Sequence, residues 1–362
     1  MNTGLYLHIP FCDTKCDYCD FISFSNKQNL WKDYKDTLIK EISSFTPTTP
    51  IDTIYIGGGT PTVWPSSFLS QLLEALPTTL RGAEVTCEAN PGTLTKKKID
   101  VLTSGGVNRI SMGLQAWQPH LLKAVGRQSD IKSFLTNFRD MRQAGLNNIN
   151  VDIMFSLPGQ SLKDWEETLY QVTALKPEHI SAYALTLEEG SPLRVRNIDE
   201  IDEETDRLMY HRCKKILGDC GYIQYELSNF CKPGCESRHN VRYWLRKPYI
   251  GFGLGAHSFE GGVRWHNTTD MGQYLESQTK LGSTPIAKSD AMAEFMFLGL
   301  RTTKGVSAKA FAIEFDKPLR EVYGYWVNRM KKEELLQEKD GFISLTDLGM
   351  DLANRVMAGF LE

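Results

Sequence analysis

Three cysteines near the start of the chain have the spacing of a metal-cluster loop. Cys12, Cys16 and Cys19 form C-x3-C-x2-C, which lets one short loop place three thiolates around a compact [4Fe-4S] cluster. Because three thiolates leave one iron without a protein ligand, that iron can accept the amino and carboxylate groups of S-adenosylmethionine (SAM). The bound sulfonium would then lie close enough for electron transfer and for release of a 5'-deoxyadenosyl radical. We therefore predict a SAM-binding [4Fe-4S] cluster at these cysteines.

The alternative occupant of this loop is a zinc ion. Structural zinc takes four closed ligands, and the sequence has no second Cys or His pair at a spacing that would complete the set. The start of the sequence has no pattern of a signal peptide, so we expect the cysteines to be reduced thiols or metal ligands rather than disulfides. The sequence therefore favours the iron–sulfur cluster.

The cysteines must be positioned by a larger fold, and the sequence predicts a parallel α/β one. Strand-like runs alternate with helix-like segments such as 29–45, 66–76 and 130–144, which implies parallel strands joined by right-handed crossovers. The strand-like runs are 5–9, 53–56, 84–87, 109–112, 148–154 and 179–184. Almost every run ends in a polar or Gly-rich turn, which is where a barrel of this class builds its site. We therefore predict a partial parallel (β/α)6 barrel with a mostly helical C-terminal region.

We expect three parts along the chain. Residues 1–215 are predicted to form the barrel, with the cysteine loop at its mouth. Residues 216–285 are rich in aromatic residues and glycine, and we expect this region to close the mouth. Residues 286–362 are predicted to be mostly helical. Within them, 335–360 are typical of a strand pair followed by a helix, as in a winged-helix module.

The bulk composition limits the possible partners. The chain has 362 residues, of which 41% are hydrophobic and 23% are charged, and its net charge is -3. A chain with this balance has no general positive field that would attract nucleic acid. No segment approaches 18 uninterrupted apolar residues, as a membrane-spanning helix would need. We therefore expect a cytoplasmic protein without a nucleic-acid partner.

The run YLHIPFCDTKCDYCDF around the cysteines resembles the radical SAM superfamily, and within it the branch of oxygen-independent coproporphyrinogen III oxidases and their relatives. The resemblance extends over nearly the whole chain. It implies that SAM is held mainly on the turns after the strands, where glycines let the backbone approach and polar groups can bind its ribose and charged groups. Taken singly, each polar residue could instead be a satisfied group at a loop entrance. The implied residues are Tyr6, Tyr18, Gly58, Gly59, Thr60, Glu88, Gln115, Arg127, Asp152 and Ala184.

Two features separate this chain from the oxidases of that branch. Phe21 stands where the oxidases have a further cysteine, and the eleven residues before Cys12 leave no room for their N-terminal extension. The run HNVRYW at 239–244 instead resembles the HNxxYW signature of the HemW family, which are radical SAM heme chaperones. The resemblance therefore favours a heme chaperone over an oxidase.

The HNxxYW resemblance implies that the chain binds heme. His239 is the implied iron ligand, because a neutral imidazole can ligate heme iron, and Tyr243 and Trp244 offer flat apolar faces to the macrocycle. The alternative is that His239 is a hydrogen-bonded core residue. Cys231 and Cys235 flank a Lys-Pro-Gly sequence and lack the C-x2-C-H form of covalent heme attachment, so we interpret them as part of a turn.

The implied function is binding and delivery. Heme would be passed to an acceptor, such as a membrane respiratory protein, with peripheral membrane contact during delivery, and a flavodoxin or ferredoxin would reduce the cluster. The rival is an enzyme, either a coproporphyrinogen III oxidase that decarboxylates propionate side chains by a radical route or another radical SAM reaction on a tetrapyrrole. His257 is a further candidate imidazole that we expect to face the mouth, whereas His8 is expected to be structural.

Overall fold

The computed structural model describes residues 2–128, 130–189, 191–196, 201–277 and 279–361. It confirms the six predicted strands, which are longer than their sequence patterns at several ends. Each strand pairs in parallel with the next along the chain. The strands are β1 (Thr3–Ile9), β2 (Ile51–Gly58), β3 (Thr79–Ala89), β4 (Arg109–Gln115), β5 (Ile149–Phe155) and β6 (His179–Ala184).

Helices connect these strands and cover the outer face of the sheet. Their apolar residues recur at helical spacing, so each helix buries one stripe, for example Leu38 in the first helix and Phe138 in the fifth. These side chains belong to one large cluster of buried residues that also contains the outward-facing strand residues. The helices are α1 (Trp31–Ser44), α2 (Ser66–Glu74), α3 (Lys96–Ser104), α4 (Pro119–Ala124), α5 (Ile131–Gln143) and α6 (Leu162–Ala174), with 3-10 turns at Gln28–Leu30 and Pro61–Val63.

The concave face of the sheet carries polar side chains. Successive residues of a strand point to opposite faces, and on β4 the buried apolar Ile110 and Met112 join the outer cluster, whereas Arg109 and Ser111 line a central cavity. The interior of a closed barrel of this class is filled by layers of branched apolar residues. The polar lining indicates that this interior is built to hold a ligand.

The chain after β6 widens the sheet at both ends. Strand β9 pairs in parallel with β1, and β10 to β12 continue outward in antiparallel order, while β8 and β7 extend the other end. In the described residues the end strands β12 and β7 do not pair with each other. The added elements are α7 (Pro192–Val195), α8 (Glu203–Asp219), β7 (Ile223–Gln224), β8 (Asn229–Cys231), α9 (Arg238–Trp244), β9 (Tyr249–Phe252), β10 (His257–Glu260), β11 (Val263–Asn267), α10 (Met271–Leu275) and β12 (Lys280–Pro285).

The C-terminal region has its own cluster of buried apolar residues, between 296 and 360. Its strands form a separate three-stranded sheet in the order β13-β15-β14. Asp340 and Gly341, both with positive φ, form the turn of the hairpin, which confirms the predicted strand pair followed by helix. The elements are α11 (Lys288–Gly299), β13 (Val306–Ser307), α12 (Ala308–Phe315), α13 (Leu319–Lys332), β14 (Leu336–Lys339), β15 (Phe342–Leu345), α14 (Asp347–Asp351) and α15 (Ala353–Ala358). Across the described ranges, none of the helices combines the length and the apolar character needed to cross a bilayer.

Candidate active site and heme motif

The cysteine loop follows β1 and is held in place by backbone hydrogen bonds. Cys12 N donates to Phe24 O (3.0 Å) and Phe24 N donates to Pro10 O (2.8 Å), so the two ends of the loop lie side by side. In its middle, Asp17 N donates to Val125 O (3.1 Å), just after α4. All three thiols of the loop are half-buried and form no disulfide. The loop therefore presents its thiols from a turn that is already formed.

The spacing of the thiols differs from that of a single-ion site. Among the residues that the structure describes, no three His, Cys, Asp or Glu side chains lie close enough together to hold one metal ion. Sulfurs on one zinc ion would be about 3.8 Å apart, given a Zn–S bond of about 2.3 Å. Thiolates that bind different irons of a cube are spaced more widely. Three free thiols on one loop are the ligand set of a [4Fe-4S] cluster with one open iron.

The turn after β2 packs against the cysteine loop, and glycine makes this contact possible. Gly59 N donates to Ile9 O (2.9 Å), and Thr60 N donates to Phe11 O (2.7 Å). A Cβ atom on Gly59 would lie 2.6 Å from Phe11 O, so a larger residue would force the two backbones apart. This approach leaves the Thr60 Oγ1 only 3.5 Å from the Cys12 Sγ.

A cavity of about 330 Å³ lies at the carboxyl ends of the parallel strands and is lined by all three cysteines. Eight of the ten residues implied for SAM also line it. The other two do not: the Tyr6 hydroxyl lies 2.9 Å from His8 Nδ1, and Ala184 borders a separate cavity of about 810 Å³. The eight lining residues are Tyr18, Gly58, Gly59, Thr60, Glu88, Gln115, Arg127 and Asp152. Their individual roles toward SAM stay a prediction.

Glu88, at the end of β3, is a cavity carboxylate whose pKa is strongly raised. Burial raises the pKa of Glu88 to about 7, although the Tyr55 hydroxyl and the Gly58 N–H oppose this shift by donating to its oxygens (2.7 and 3.1 Å). A Cβ atom on Gly57 would lie 2.9 Å from this carboxylate. The glycine turn therefore also makes room for Glu88, which can hold or release a proton near neutral pH.

Arg127 brings a permanent positive charge to the cysteine loop. Its Nη1 lies 3.7 Å from the Cys16 Sγ and 3.4 Å from the Tyr18 hydroxyl, and its Nη2 donates to the Asn90 Oδ1 (2.6 Å) and to the Gly113 carbonyl. A guanidinium beside a sulfur favours a thiolate over a thiol. Arg127 therefore suits the negative charge of a thiolate-ligated cluster.

Asp152 is the second carboxylate of the cavity and belongs to a hydrogen-bonded layer deeper inside. Its oxygens accept from the Ser111 Oγ (3.1 Å) and the Asn150 Nδ2 (2.7 Å). Asn150 in turn contacts the buried His179, whose Nδ1 lies 2.6 Å from the Asn150 Oδ1. The carboxylate is thus held in one orientation, which suits recognition of a polar ligand group.

Several cavity residues were missed by the sequence analysis. Asn90, Arg109, Ser111, Asn150, Tyr183 and Asn240 line the same cavity. Arg109 is only 1% exposed and its Nε has no hydrogen-bond partner in the described part of the chain. The alternation of side chains along β4 and β5 could have revealed Arg109, Ser111 and Asn150, because they lie at even spacing from Gln115 and Asp152 on the same strands.

The HNxxYW motif forms α9, which lies at the opposite end of the strands from the cysteine loop. The Glu84 carboxylate accepts from the Arg238 and His239 backbone N–H groups (3.0 Å each) and thereby stabilises the helix N-terminus. Glu84 and Thr53, which also contacts this helix, lie near the amino ends of the paired segments of β3 and β2. The sequence analysis did not predict this position. The Asn240 side chain nevertheless reaches the cysteine-lined cavity.

His239 is fully buried, and both of its ring nitrogens have partners. Nδ1 lies 2.9 Å from the Thr53 Oγ1, and Nε2 lies 2.8 Å from the Tyr243 hydroxyl. Arg242 Nε donates to the same Thr53 oxygen (3.3 Å), so the Thr53 hydroxyl contacts both residues of the helix. Burial lowers the pKa of His239 to about 3, so the imidazole is neutral. Iron ligation by His239 stays a prediction, and it requires the loss of one of these hydrogen bonds.

The two aromatic residues of the motif are also engaged by protein groups. The Tyr243 ring meets the edge of Tyr249 at 4.7 Å between centroids and 89°. The Arg301 guanidinium lies 4.3 Å from the centroid of the Trp244 ring and so covers one of its faces. Stacking of a macrocycle on Trp244 therefore stays a prediction as well, and on that face it requires Arg301 to move.

Comparisons with known proteins agree with this architecture. Residues 6–171 match the model of the radical SAM superfamily, and residues 286–352 match the HemN C-terminal domain. Among solved structures, Escherichia coli coproporphyrinogen III oxidase (HemN) superposes with a TM-score of 0.88 at 20% identity, over 99% of this chain and 90% of that one. At this identity the likeness shows the fold. Membership of the radical SAM superfamily implies a [4Fe-4S] cluster and SAM.

Full-length relatives identify the family more closely. The heme chaperone HemW of Bacillus subtilis is 34% identical over 372 residues, which cover 98% of both chains. The heme chaperone HemW of Lactococcus lactis is 35% identical over 98% of this chain and 96% of its own. The mitochondrial radical S-adenosyl methionine domain-containing protein 1 of Danio rerio is 29% identical over 97% of this chain and 83% of its own. The chain therefore belongs to the HemW family of radical SAM proteins.

Proposed function

We propose that this chain is a heme chaperone, which binds heme and passes it to an acceptor protein, and that the [4Fe-4S] and SAM site in the cysteine-lined cavity controls that transfer. The names of the bacterial relatives support the first part. The second part rests on one observation, which is that the HNxxYW helix and the cysteine loop border the same cavity. A ligand that binds at one end of this cavity can therefore affect residues at the other end.

The connection between the two ends runs through neighbouring residues of α9. Asn240 lines the cavity, whereas His239, one residue earlier, is held by Thr53 and Tyr243. His239 and Asn240 are neighbours on this seven-residue helix, so a displacement of one also moves the other. A ligand that displaces Asn240 would therefore also strain the two hydrogen bonds of His239, and loss of the bond to Tyr243, with the ring proton on Nδ1, would leave Nε2 available to iron.

The residues around the cavity have separable roles toward the cluster and SAM. Cys12, Cys16 and Cys19 would hold three irons, and burial raises the pKa of the Cys12 and Cys19 thiols, so their protons must leave when iron binds. When bound, SAM supplies a sulfonium that one electron can cleave to a 5'-deoxyadenosyl radical. Arg127 and Asp152 would orient charged groups of the ligand, and Glu88 would hold a proton at its carboxyl near neutral pH.

The partners follow from the same proposal. The acceptor that we propose is a membrane respiratory protein, approached from the membrane surface, and the electron donor is a flavodoxin or ferredoxin. A one-electron donor of this kind suits a cluster at the low end of the range of potentials. Phe21, 64% exposed at the rim of the cavity, is an apolar contact that such a donor could use near the cluster.

An anaerobic heme titration tests the proposal. Cluster-loaded protein should bind heme stoichiometrically and saturably, and SAM should change the affinity. In parallel, incubation with SAM, reductant and coproporphyrinogen III should give no protoporphyrinogen; formation of that product would establish the oxidase instead. Asn240→Ala should abolish the effect of SAM on heme affinity without lowering the iron content. Asn328→Ala, an exposed asparagine of α13, is the matched control and should retain the effect.

A further inference from the structure

The seven histidines of the chain differ in whether their ring nitrogens are free for a metal. His8, His179 and His239 are buried, and each has a hydrogen-bond partner at both nitrogens. His211 pairs with the Asp351 carboxylate at 2.9 Å, and His120 is exposed on α4 without a neighbouring histidine. The remaining two histidines form a pair, and this pair carries the inference below.

His257 and His266 face each other across the antiparallel strands β10 and β11. They are register partners, and their rings are nearly parallel, with centroids 5.2 Å apart and 24° between the planes. His257 is exposed and His266 is half-buried. In the described residues neither ring nitrogen of either histidine takes part in a hydrogen bond. Two adjacent imidazoles with free nitrogens, open to solvent, are a ready set of metal ligands.

The charge state of His257 suits metal binding. Burial, the neighbouring His266 and the Arg264 guanidinium all lower the pKa of His257. A metal takes the neutral imidazole, so this environment favours the form that binds. Leu281, the register partner of His266 on β12, is an exposed apolar side chain on the same face, which gives a flat ligand an apolar surface beside the imidazoles.

The backbone that carries the pair is rigid and touches the cysteine loop. Gly255 N donates to Thr268 O (2.8 Å), and Asn267 N donates to Ala256 O (2.9 Å). A Cβ atom on Gly255 would lie 2.4 Å from the Ile22 Cδ1, so the loop before β10 packs directly on the segment that follows the third cysteine. The pair therefore lies at the end of the sheet that carries the cysteine loop.

We propose that His257 and His266 bind a transition-metal centre that arrives from solvent, through a ring nitrogen. Heme iron and a free divalent first-row ion share this chemistry. Side-by-side rings on adjacent strands can occupy neighbouring positions on a bare ion, whereas heme would take one imidazole as its axial ligand. If the metal is heme iron, the inference rests on the proposed function. The pair is then the accessible site at which heme is first held, while His239 remains buried.

The test uses cluster-loaded protein under anaerobic conditions, with hemin, metal-free protoporphyrin IX and nickel(II) as separate probes. The double variant His257→Asn, His266→Asn preserves polarity, and circular dichroism checks its fold. The double variant should weaken hemin binding at least tenfold and shift the Soret band, or abolish a one-to-one nickel site in calorimetry. His120→Asn is the matched control and should leave both unchanged. Protoporphyrin IX, which lacks iron, should bind both proteins alike.

The outcomes separate this inference from the proposed function. A nickel site that depends on the pair, in a protein that takes up no hemin, supports the metal site and removes the heme chaperone. Loss of hemin affinity in the double variant, with no nickel binding, identifies heme as the occupant. If the double variant binds hemin and nickel as the unsubstituted protein does, and His239→Ala alone shifts the Soret band, the pair is not a metal site and the proposal is wrong.

Discussion

The cysteine loop and the HNxxYW helix border one cavity but differ in how their functional groups are used. The three thiols are half-buried, unlinked and turned toward the cavity. His239 is fully buried with both nitrogens engaged, and an arginine covers one face of the Trp244 ring. A sequence motif can therefore mark a residue whose ligand-binding atoms are already occupied by other protein groups. Availability depends on neighbours that are remote in the sequence.

The distance along the chain explains this difference. The three cysteines lie on one short loop, so their spacing alone brings the thiols together, although Val125 and Thr60 also hold that loop in place. The partners of α9 are far away: Thr53 is 186 residues from His239, and Glu84 is 155 residues from it. Nothing in HNxxYW shows that β2 and β3 will supply these groups, so the motif alone could not reveal that the imidazole is satisfied.

The largest expected effect is loss of the cluster. Cys16→Ser, or the same change at Cys12 or Cys19, should remove nearly all iron and sulfide from anaerobically purified protein, because two thiolates cannot hold the cube in place. Chemical analysis and the EPR signal measure this directly. Cys235→Ser, a half-buried cysteine in a turn, is the control and should retain full iron content. Stoichiometric zinc in the unsubstituted protein would show that the three cysteines do not hold a [4Fe-4S] cluster.

The second effect should appear in stability rather than in metal content. His239→Ala removes the partner of the Tyr243 hydroxyl and one of the two partners of the Thr53 hydroxyl, and it opens a buried cavity. The free energy of unfolding of the apo-protein should therefore fall by about 3–4 kcal/mol. Urea unfolding measures this change. Cys16→Ala in the same apo-protein should lose less than about 1 kcal/mol, since its thiol is half-buried. Equal losses of unfolding free energy in the two variants would show that the thiols and His239 do not differ in how much they stabilise the apo-protein.

The sequence predicted the part of the fold that follows regular periods. Alternation predicted the six parallel strands and the helices between them, and the turns at strand ends predicted part of the cavity lining, including Gly58, Gly59 and Glu88. It missed strands β7 to β11, since strands of two to five residues are too short to show a period. It also missed Arg109 and Asn150, which lie at the amino ends of β4 and β5 rather than on the turns after the strands, and the position of α9, which depends on Glu84 and Thr53.

The third prediction concerns the pH dependence of stability at the mouth end of the cavity. The pKa of Glu88 is about 7 in the folded protein, above its usual 4.5, so the folded state binds this proton more tightly than the unfolded state. The stabilisation from Glu88 is therefore complete below about pH 4.5 and is lost as the pH rises through 7. Between these values the apo-protein should lose roughly 2–3 kcal/mol from this group.

Glu88→Gln isolates that contribution. Glutamine keeps the size of the side chain but cannot ionise, so the difference in unfolding free energy between the variant and the unsubstituted protein should change across pH 4.5–7.5. Glu41 and Glu226, whose pKa values are also raised by burial, are present in both proteins and cancel in the difference. Parallel pH profiles for the two proteins would show that burial does not raise the pKa of Glu88.

The smallest expected effect lies between the two regions, at Arg109. Its guanidinium is buried, its Nε lacks a hydrogen-bond partner in the described part of the chain, and no carboxylate there forms a salt bridge with it. Since an uncompensated buried charge is unfavourable, Arg109→Met should stabilise the apo-protein by about 1–2 kcal/mol in urea unfolding. It should also raise the pKa of Glu88, which Arg109 now lowers. If Arg109→Met destabilises the protein instead, the charge of Arg109 is already compensated without a ligand. The interior of the barrel would then resemble the surroundings of His239 on α9, where both ring nitrogens have partners, more than the mouth, where the thiols are open to the cavity.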